Sequence, residues 1–292
     1  MILTKAWPYV LLLGVVWGTN VVAARFSLGQ FTPVWFVGLR LGLAGVIMMV
    51  GYGWLGPRGW WRSKRLWGDS AVLGVMGTAV PMLAVVTSLQ YQSSGMTSLL
   101  VTLGPAFIAV VAHFMLDDEK LNRAKTVGVL IALLGAVVMI GQGENGLPDV
   151  PTTPWGYLLV LLAIVCDAVS TIYTRKKMMT ADIWAVTSVR LLVAGLLVML
   201  LAVGSGPFAW EVVRWSGWLV MVYATLAATI LAFVLVFYIT RRFGATTFAL
   251  TGYIVPLVAT GMGILLLGES FSWGMGVGVG LILGGLVIVN RY

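Results

Sequence analysis

The chain has 292 residues, of which 60% are hydrophobic and 10% are charged, and its mean hydropathy is +1.00. A soluble core cannot bury that much apolar side chain, so the composition excludes a water-soluble globular protein and indicates a lipid bilayer as the solvent. The formal net charge of +8 predicts no nucleic-acid partner, because the basic residues cluster beside apolar segments, where they meet anionic lipid headgroups.

Ten apolar segments follow one another along the chain, each close to the roughly 17 to 25 residues that a spanning helix needs. They are 6–24, 33–53, 69–90, 94–116, 126–143, 154–174, 183–203, 217–239, 245–267 and 273–289. The first segment resembles a signal peptide, because Lys5 precedes it and residues 22–24 resemble a cleavage site. Its counterpart at 154–174 predicts instead that it is retained as a membrane helix.

The two halves of the chain repeat each other. The motif Arg-Leu-x-x-Ala-Gly of residues 40–45 returns at residues 190–195. Further matches at similar spacing are Trp7 with Trp155, Tyr9 with Tyr157, Pro105 with Pro256, Glu119 with Glu269, and the glycines 128 and 135 with 278 and 285. The pattern predicts two five-helix repeats, 1–147 and 148–292. Because each repeat holds an odd number of spans, the second is expected to have inverted topology.

Basic residues are distributed very unevenly between the two sets of connections. One set carries 14 Lys and Arg and the other carries Arg25 and Arg214, while Arg40 and Arg190 lie inside predicted spans. By the positive-inside rule, both termini are predicted to be cytoplasmic, and the protein is expected in the inner, or plasma, membrane.

The sequence lacks the motifs of common enzymes and cofactor sites. It contains one cysteine, Cys166, and one histidine, His113, and no HExxH, GxSxG, CxxC or phosphate-binding loop. We therefore expect no metal, no cofactor and no enzymatic activity. An intramembrane enzyme acting on lipid-linked substrates is an alternative from another class, but a second acid, a metal cluster or a histidine dyad is missing.

Four stretches carry a family resemblance. They are Trp17-Gly18-Thr19-Asn20, the motif at 40–45, the run from Ser93 through Pro105 to Leu121, and its echo from Gly244 through Pro256 to Glu269. In this order and spacing they resemble the drug/metabolite transporter superfamily, in its ten-helix branch of two fused EamA domains. The resemblance implies that the first four helices of each half surround a central cavity and that the fifth and tenth support them. It also implies transport of small metabolites, often outward, with exporters of neutral and aromatic amino acids among the members.

Polar and aromatic residues inside the spans are the candidates for a substrate site. Of 13 Trp residues, only Trp17 lies well inside a span, which favours a place in the cavity wall. The candidate set is Trp17, Thr19, Asn20, Arg40, Thr78, Ser98, Thr102, Tyr223, Thr251 and Tyr253. Such a cavity suits uncharged or zwitterionic solutes, although the hydroxyls alternatively bond back to their own helices. Asn20 and Arg40 lie at comparable depth, which predicts a contact, and Arg40 serves either a substrate carboxylate or a structural bond.

Asp167 is the only carboxylate well inside a predicted span, and Arg190 lies at similar depth in the next one. We expect them to form a structural ion pair, because an unpaired charge at that depth is costly. The alternative is that Asp167 carries a proton and couples export to the proton gradient. The residues Cys166 and Asp167 depart from the family pattern, in which a Trp or a small residue is common there.

Two further features concern motion and assembly. Pro105 and Pro256 interrupt matching spans and are predicted hinges. Gly276, Gly280 and Gly284 form a small-residue face on the last span, which predicts packing within the bundle or a homodimer seam, so the protein is a monomer or a homodimer.

The resulting interpretation is an all-α secondary transporter that exports small metabolites, with neutral and aromatic amino acids favoured, by alternating access through a central cavity. Its partners are the small-molecule substrate and the bilayer. The alternatives within transport are other drugs or metabolites exported by proton antiport. A nontransporting assembly or sensor subunit is a further alternative.

Overall fold

Ten long helices make up the computed structural model, which describes residues 2–57, 59–117, 119–143, 145–148 and 150–291. They are α1 (Ile2–Ser27), α2 (Pro33–Leu55), α3 (Lys64–Ser88), α4 (Ser94–Met115), α5 (Arg123–Gly141), α6 (Pro154–Lys177), α7 (Ile183–Gly204), α8 (Trp215–Phe243), α9 (Ala245–Ala249 and Thr251–Leu267) and α10 (Trp273–Arg291). Within the described residues, nine helices are long and apolar enough to cross a membrane, and α10 contributes the shorter apolar stretch Trp273–Val289. The predicted all-α fold of ten spans is confirmed.

Side chains at the helix starts set several boundaries. Ser93 accepts a hydrogen bond from the Met96 backbone N–H at 3.0 Å, and Asn122 accepts one from Lys125 N–H at 2.8 Å. Asp182 in the same way accepts from Trp184 N–H at 2.9 Å. Such caps pair backbone donors that have no partner inside the helix.

Successive crossings place the described ends of the chain, Ile2 and Arg291, at one membrane face, which we call the terminal face. It also carries the α2–α3, α4–α5, α6–α7 and α8–α9 connections. The opposite face, which carries the other five connections, is called the far face.

The helices pack in a two-fold pattern that exchanges the two halves. Two contacts join equivalent helices of the two halves: α2 packs against α7, and α5 packs against α10. The other contacts come in equivalent pairs. The contact of α1 with α9 corresponds to that of α6 with α4, and the contact of α1 with α8 corresponds to that of α6 with α3. A Cβ on Gly45 would lie 2.6 Å from Leu192 Cα, and one on Gly195 would lie 2.5 Å from Gly42 N. The repeated glycines thus form the crossing between α2 and α7, where the two halves meet.

The α5–α10 contact uses glycines spaced seven residues apart. A Cβ on Gly128 would lie 2.7 Å from the Gly285 carbonyl oxygen, and one on Gly135 would lie 2.7 Å from that of Gly278. By contrast, no described atom outside the local helix lies within 4 Å of a Cβ placed on Gly280 or Gly284. The predicted face of Gly276, Gly280 and Gly284 is therefore not the face through which α10 packs on α5.

Burial refines the register of the repeat in α1 and α6. Buried residues of α1 recur 150 positions later: residues 6, 10, 13, 14, 16, 18 and 22 match 156, 160, 163, 164, 166, 168 and 172. The match of Trp7 with Trp155, at 148 positions, is therefore out of structural register. Trp17 and Asp167 occupy equivalent positions in the two halves.

Candidate functional site

Two interrupted helices flank the crossing between α2 and α7. Helix α3 contains a π-helical segment, Val75–Ala79, and α8 contains another, Leu226–Leu231. A π-helical turn carries an extra residue, shifts the backbone hydrogen bonds and is frequent at functional sites. The two segments lie about 151 positions apart, so they are a feature of both halves.

Each repeated arginine holds the π segment of the other half. Arg40 donates from Nε to Thr229 Oγ1 at 2.8 Å and from Nη2 to the Ala228 carbonyl at 3.2 Å. Arg190 donates from Nε to Thr78 Oγ1 and from Nη2 to the Gly77 carbonyl. The bonds are the same in kind and are related by the two-fold pattern.

The Arg190 contact has a local cause in the sequence. Pro81 has no N–H, so the carbonyl of Gly77, four residues earlier, lacks its usual helical donor. Arg190 supplies that donor. Within the membrane an unpaired carbonyl is costly, and this bond removes the cost.

Arg40 and Thr78, both predicted to belong to the substrate site, therefore form hydrogen bonds with other groups of the protein. Arg40 is only 2% exposed, and Thr78 is also buried. The predicted contact between Asn20 and Arg40 is absent from the described residues, because the guanidinium of Arg40 faces α8. Asn20 Oδ1 is instead buried without a hydrogen-bond partner among the groups that the structure describes.

Thr19 and Tyr223, both predicted site residues, meet between α1 and α8. Their hydroxyl oxygens lie 2.5 Å apart. Thr19 also bonds the Val15 carbonyl at 2.6 Å, and Tyr223 lies 3.1 Å from the Val16 carbonyl. This cluster joins the two halves through hydroxyl groups.

Five of the predicted residues line one cavity of about 170 Å³ between α1, α4 and α9: Trp17, Ser98, Thr102, Pro105 and Tyr253. The hydroxyls of Ser98 and Thr102 donate to the carbonyls of Gly95 and Ser98, both at 2.8 Å. Their protons are thus used within α4, while their oxygens can still accept. The wall of this cavity is aromatic and weakly polar.

Thr251, another predicted residue, is buried beside this region. Its Oγ1 has no hydrogen-bond partner among the described groups. Phe248, in the same helix, meets Trp17 edge to face, with ring centroids 6.1 Å apart.

Asp167 lies on the inner face of α6. Its side chain is exposed, and so are the apolar residues Leu158, Leu162 and Val165 of the same helix. At about 100° per residue, Asp167 is roughly 140° to 180° away from them around the helix. Since those apolar side chains face lipid, the exposed carboxylate faces the space enclosed by the bundle.

Arg190 borders the same space. Its guanidinium carbon lies 5.8 Å from the centre of the Phe233 ring, and the residue is partly exposed. A Cβ on Gly77 would lie 2.5 Å from Ser170 Oγ and 3.1 Å from Arg190 Nη2, which sets Arg190 beside α6 one turn from Asp167. However, the predicted direct ion pair between Asp167 and Arg190 is absent from the part of the chain that the structure describes.

The two predicted hinge prolines differ in local structure. Pro105 is the second residue of the second segment of α4, Gly104–Met115, which follows a break at residues 102–103. Pro256 lies inside the continuous segment Thr251–Leu267, and the break in α9 falls earlier, at Leu250. Matching sequence positions therefore do not have matching backbone conformations.

The comparisons with known proteins agree over nearly the whole chain. Residues 4–141 and 154–291 each match the EamA-like transporter family. An uncharacterized inner membrane transporter of Escherichia coli K12, YedA, is 25% identical over 281 residues, which cover 95% of this chain and 88% of YedA. An uncharacterized transporter of Bacillus subtilis, YoaV, is 25% identical over 279 residues, which cover 94% of this chain and 90% of YoaV.

A solved crystal structure shares the fold. It superposes with a TM-score of 0.67 at 21% sequence identity, over 98% of this chain and 96% of that one. The two matched segments each contain five of the helices described above. The chain therefore belongs to the EamA-like transporter family and is a membrane transporter built from two repeated halves.

Proposed function

We propose that this transporter exports neutral amino acids, aromatic ones included, by alternating access through the space between its two halves. The observation that carries the proposal is the charge arrangement on the inner wall, where an exposed carboxylate, Asp167, lies one helical turn from the position at which the partly exposed guanidinium of Arg190 meets α6. An amino acid presents an ammonium and a carboxylate on the same carbon. Each protein charge is opposite in sign to one of those two groups, so Asp167 can pair with the ammonium and Arg190 with the carboxylate.

The bonding of Arg190 leaves room for a ligand. Its contacts to Thr78 and Gly77 use Nε and Nη2, so the Nη1 donors are available for a substrate carboxylate. A carboxylate inside a membrane is costly without a partner. A substrate ammonium at Asp167 would supply that partner, and the aromatic and hydroxyl groups around Trp17 would receive the side chain.

A second candidate is export of other metabolites or drugs in exchange for protons. The observation in its favour is that Asp167 is exposed and has no direct ion pair with Arg190 within the described chain. A carboxylate in that state can bind and release a proton. For both candidates we propose an inner-membrane location with both termini cytoplasmic, based on the distribution of Lys and Arg.

The test is counterflow of labelled phenylalanine by purified protein in liposomes, with and without a pH gradient. N-acetylphenylalanine, which lacks the ammonium, and phenylalaninamide, which lacks the carboxylate, serve as competitors. The wild type should exchange phenylalanine, and both derivatives should inhibit this counterflow only weakly, because each lacks one of the two charged groups. Asp167→Asn should raise the half-saturating phenylalanine concentration about 10- to 100-fold, the size expected for one hydrogen bond to a charged group.

The matched control is Asp117→Asn, which removes an exposed carboxylate from the α4–α5 connection and should leave counterflow unchanged. If Asp167→Asn keeps counterflow but loses its response to the pH gradient, proton antiport replaces zwitterion binding. No exchange of any amino acid by folded wild-type protein would refute the amino-acid assignment.

A further inference from the structure

Two glutamates occupy equivalent positions in the two halves but bind different kinds of partner. Glu269 follows α9 at the far face, and Glu119 follows α4 at the terminal face, 150 positions earlier. Each has a matching arginine, because Arg25 and Arg175 are also 150 positions apart. A symmetric protein would use both pairs in the same way, and this structure does not.

Glu269 caps the start of a helix of the other half at the far face. It is 6% exposed, and its carboxylate accepts from Ser94 N–H at 2.8 Å, Ser94 Oγ at 2.6 Å and Gly95 N–H at 3.3 Å. The start of a helix carries unpaired N–H groups and the positive end of the helix dipole, so a carboxylate binds well there. All residues from Ser94 to Leu100 are buried behind this cap.

Glu119 does not make the equivalent contact. It forms an ion pair with Arg175, and its side chain is 45% exposed. The corresponding helix start in α9 follows Gly244, where no side-chain cap is present among the described residues. Phe248–Leu250 are partly exposed, whereas their counterparts, residues 97–99, are buried.

The inner wall shows the same asymmetry. Asp167 and Thr171, on the terminal-face half of α6, are exposed. Their counterparts on the far-face half of α1, Trp17 and Val21, are partly buried. The interior is thus more open toward the terminal face and more closed toward the far face.

We infer that Glu119 and Glu269 are alternating latches of the transport cycle. In the present state Glu269 caps α4 and closes the far face, while Glu119 is held by Arg175. In the opposite state Glu119 caps the start of α9 and closes the terminal face. Glu269 is then released to Arg25, which already lies within electrostatic reach of it and donates to the Leu89 carbonyl.

The inference rests on the alternating-access part of the proposed function but not on the substrate. According to this inference, neutralising the two glutamates shifts the balance between the two states in opposite directions. Removing the charge of Glu269 weakens the present state, and removing that of Glu119 weakens the other one. A purely structural role for either residue would lower stability without shifting the two faces in opposite directions.

The experiment measures both faces by electron spin resonance distances in full-length protein in nanodiscs, without substrate. In a Cys166→Ser background, Gln90→Cys with Ser270→Cys labels the far face. Its symmetric counterpart, Arg241→Cys with Lys120→Cys, labels the terminal face. All four labelled positions are exposed.

Glu269→Gln should raise the population with a long far-face distance and a short terminal-face distance about 10-fold, as expected for loss of one charged contact. Glu119→Gln should lower that population below its wild-type level. Ser94→Ala, which removes one donor to Glu269, should shift the distances in the same direction as Glu269→Gln but by less. This milder variant tests the latch even if Glu269→Gln does not fold.

The control is Glu211→Gln, an exposed glutamate in the α7–α8 connection, which should give wild-type distances. Equal distances in all variants, or shifts of the same sign in Glu119→Gln and Glu269→Gln, would overturn the latch. Because the distances are measured without substrate, failure of the amino-acid assay would leave this result standing.

Discussion

Two adjacent glycines of α10 should respond oppositely to the same substitution. A Cβ on Gly285 would lie 2.6 Å from Ala132 N and 2.9 Å from Ala132 Cβ in α5, whereas no described atom outside the local helix lies within 4 Å of one on Gly284. Gly284→Ala should therefore stabilise the protein by up to about 1 kcal/mol, because alanine restricts the unfolded chain and favours helix. Gly285→Ala gains the same propensity but must separate two helices.

Overpacking of a tight contact costs about 1 to 3 kcal/mol, so Gly285→Ala should be neutral to destabilising by about 2 kcal/mol after the propensity gain. The pair should differ by about 1 to 3 kcal/mol. The assay is reversible unfolding of both variants in mixed micelles with increasing denaturing detergent. If Gly284→Ala proves the more harmful change, α10 packs through the face of Gly276, Gly280 and Gly284, and the described α5–α10 contact is wrong.

The remaining predictions concern bonds between the halves. Arg190→Lys should lower stability by about 1 to 3 kcal/mol, because lysine cannot reproduce the two-pronged contact with Thr78 and Gly77; thermal unfolding checks this. Pro81→Ala restores an N–H near the Gly77 carbonyl and should partly rescue Arg190→Lys, so additive effects in a double-mutant cycle would contradict the role given to Pro81. Tyr223→Phe and Thr19→Val should each lower the free energy of unfolding by about 1 kcal/mol. The double variant should lose clearly less than the sum of the two, because both changes remove the same hydroxyl contact. Additive losses would argue against that contact.

The fold could be predicted because it depends on properties that can be read directly from the sequence. Span length, the recurrence of residues 40–45 at 190–195 and the uneven distribution of Lys and Arg together predict ten helices in two halves. The seven-residue spacing of Gly128 with Gly135 and of Gly278 with Gly285 also marks a helix crossing, because seven residues make about two turns. The spacing of Gly276, Gly280 and Gly284 suggested a competing face that the α5–α10 contact does not use.

The site was harder to predict, because depth in the membrane does not fix direction around a helix. Asn20 with Arg40, and Asp167 with Arg190, were matched by depth alone. In the structure both guanidiniums face π segments instead. These segments depend on the backbone hydrogen-bond register, which side-chain composition does not encode. Pro81 was the one available signal, because a missing N–H leaves a carbonyl that something must satisfy.

The exchange of arginine contacts between the halves also bears on how the protein is assembled in the membrane. Among the described residues, Arg40 donates its hydrogen bonds to α8, and Arg190 donates its hydrogen bonds to α3. A half inserted alone, or with the wrong orientation, would leave a guanidinium and the carbonyl groups of a π segment unpaired in hydrocarbon, which is costly for both. The repeated arginines therefore have their hydrogen-bond partners only when the two halves have come together in one bundle.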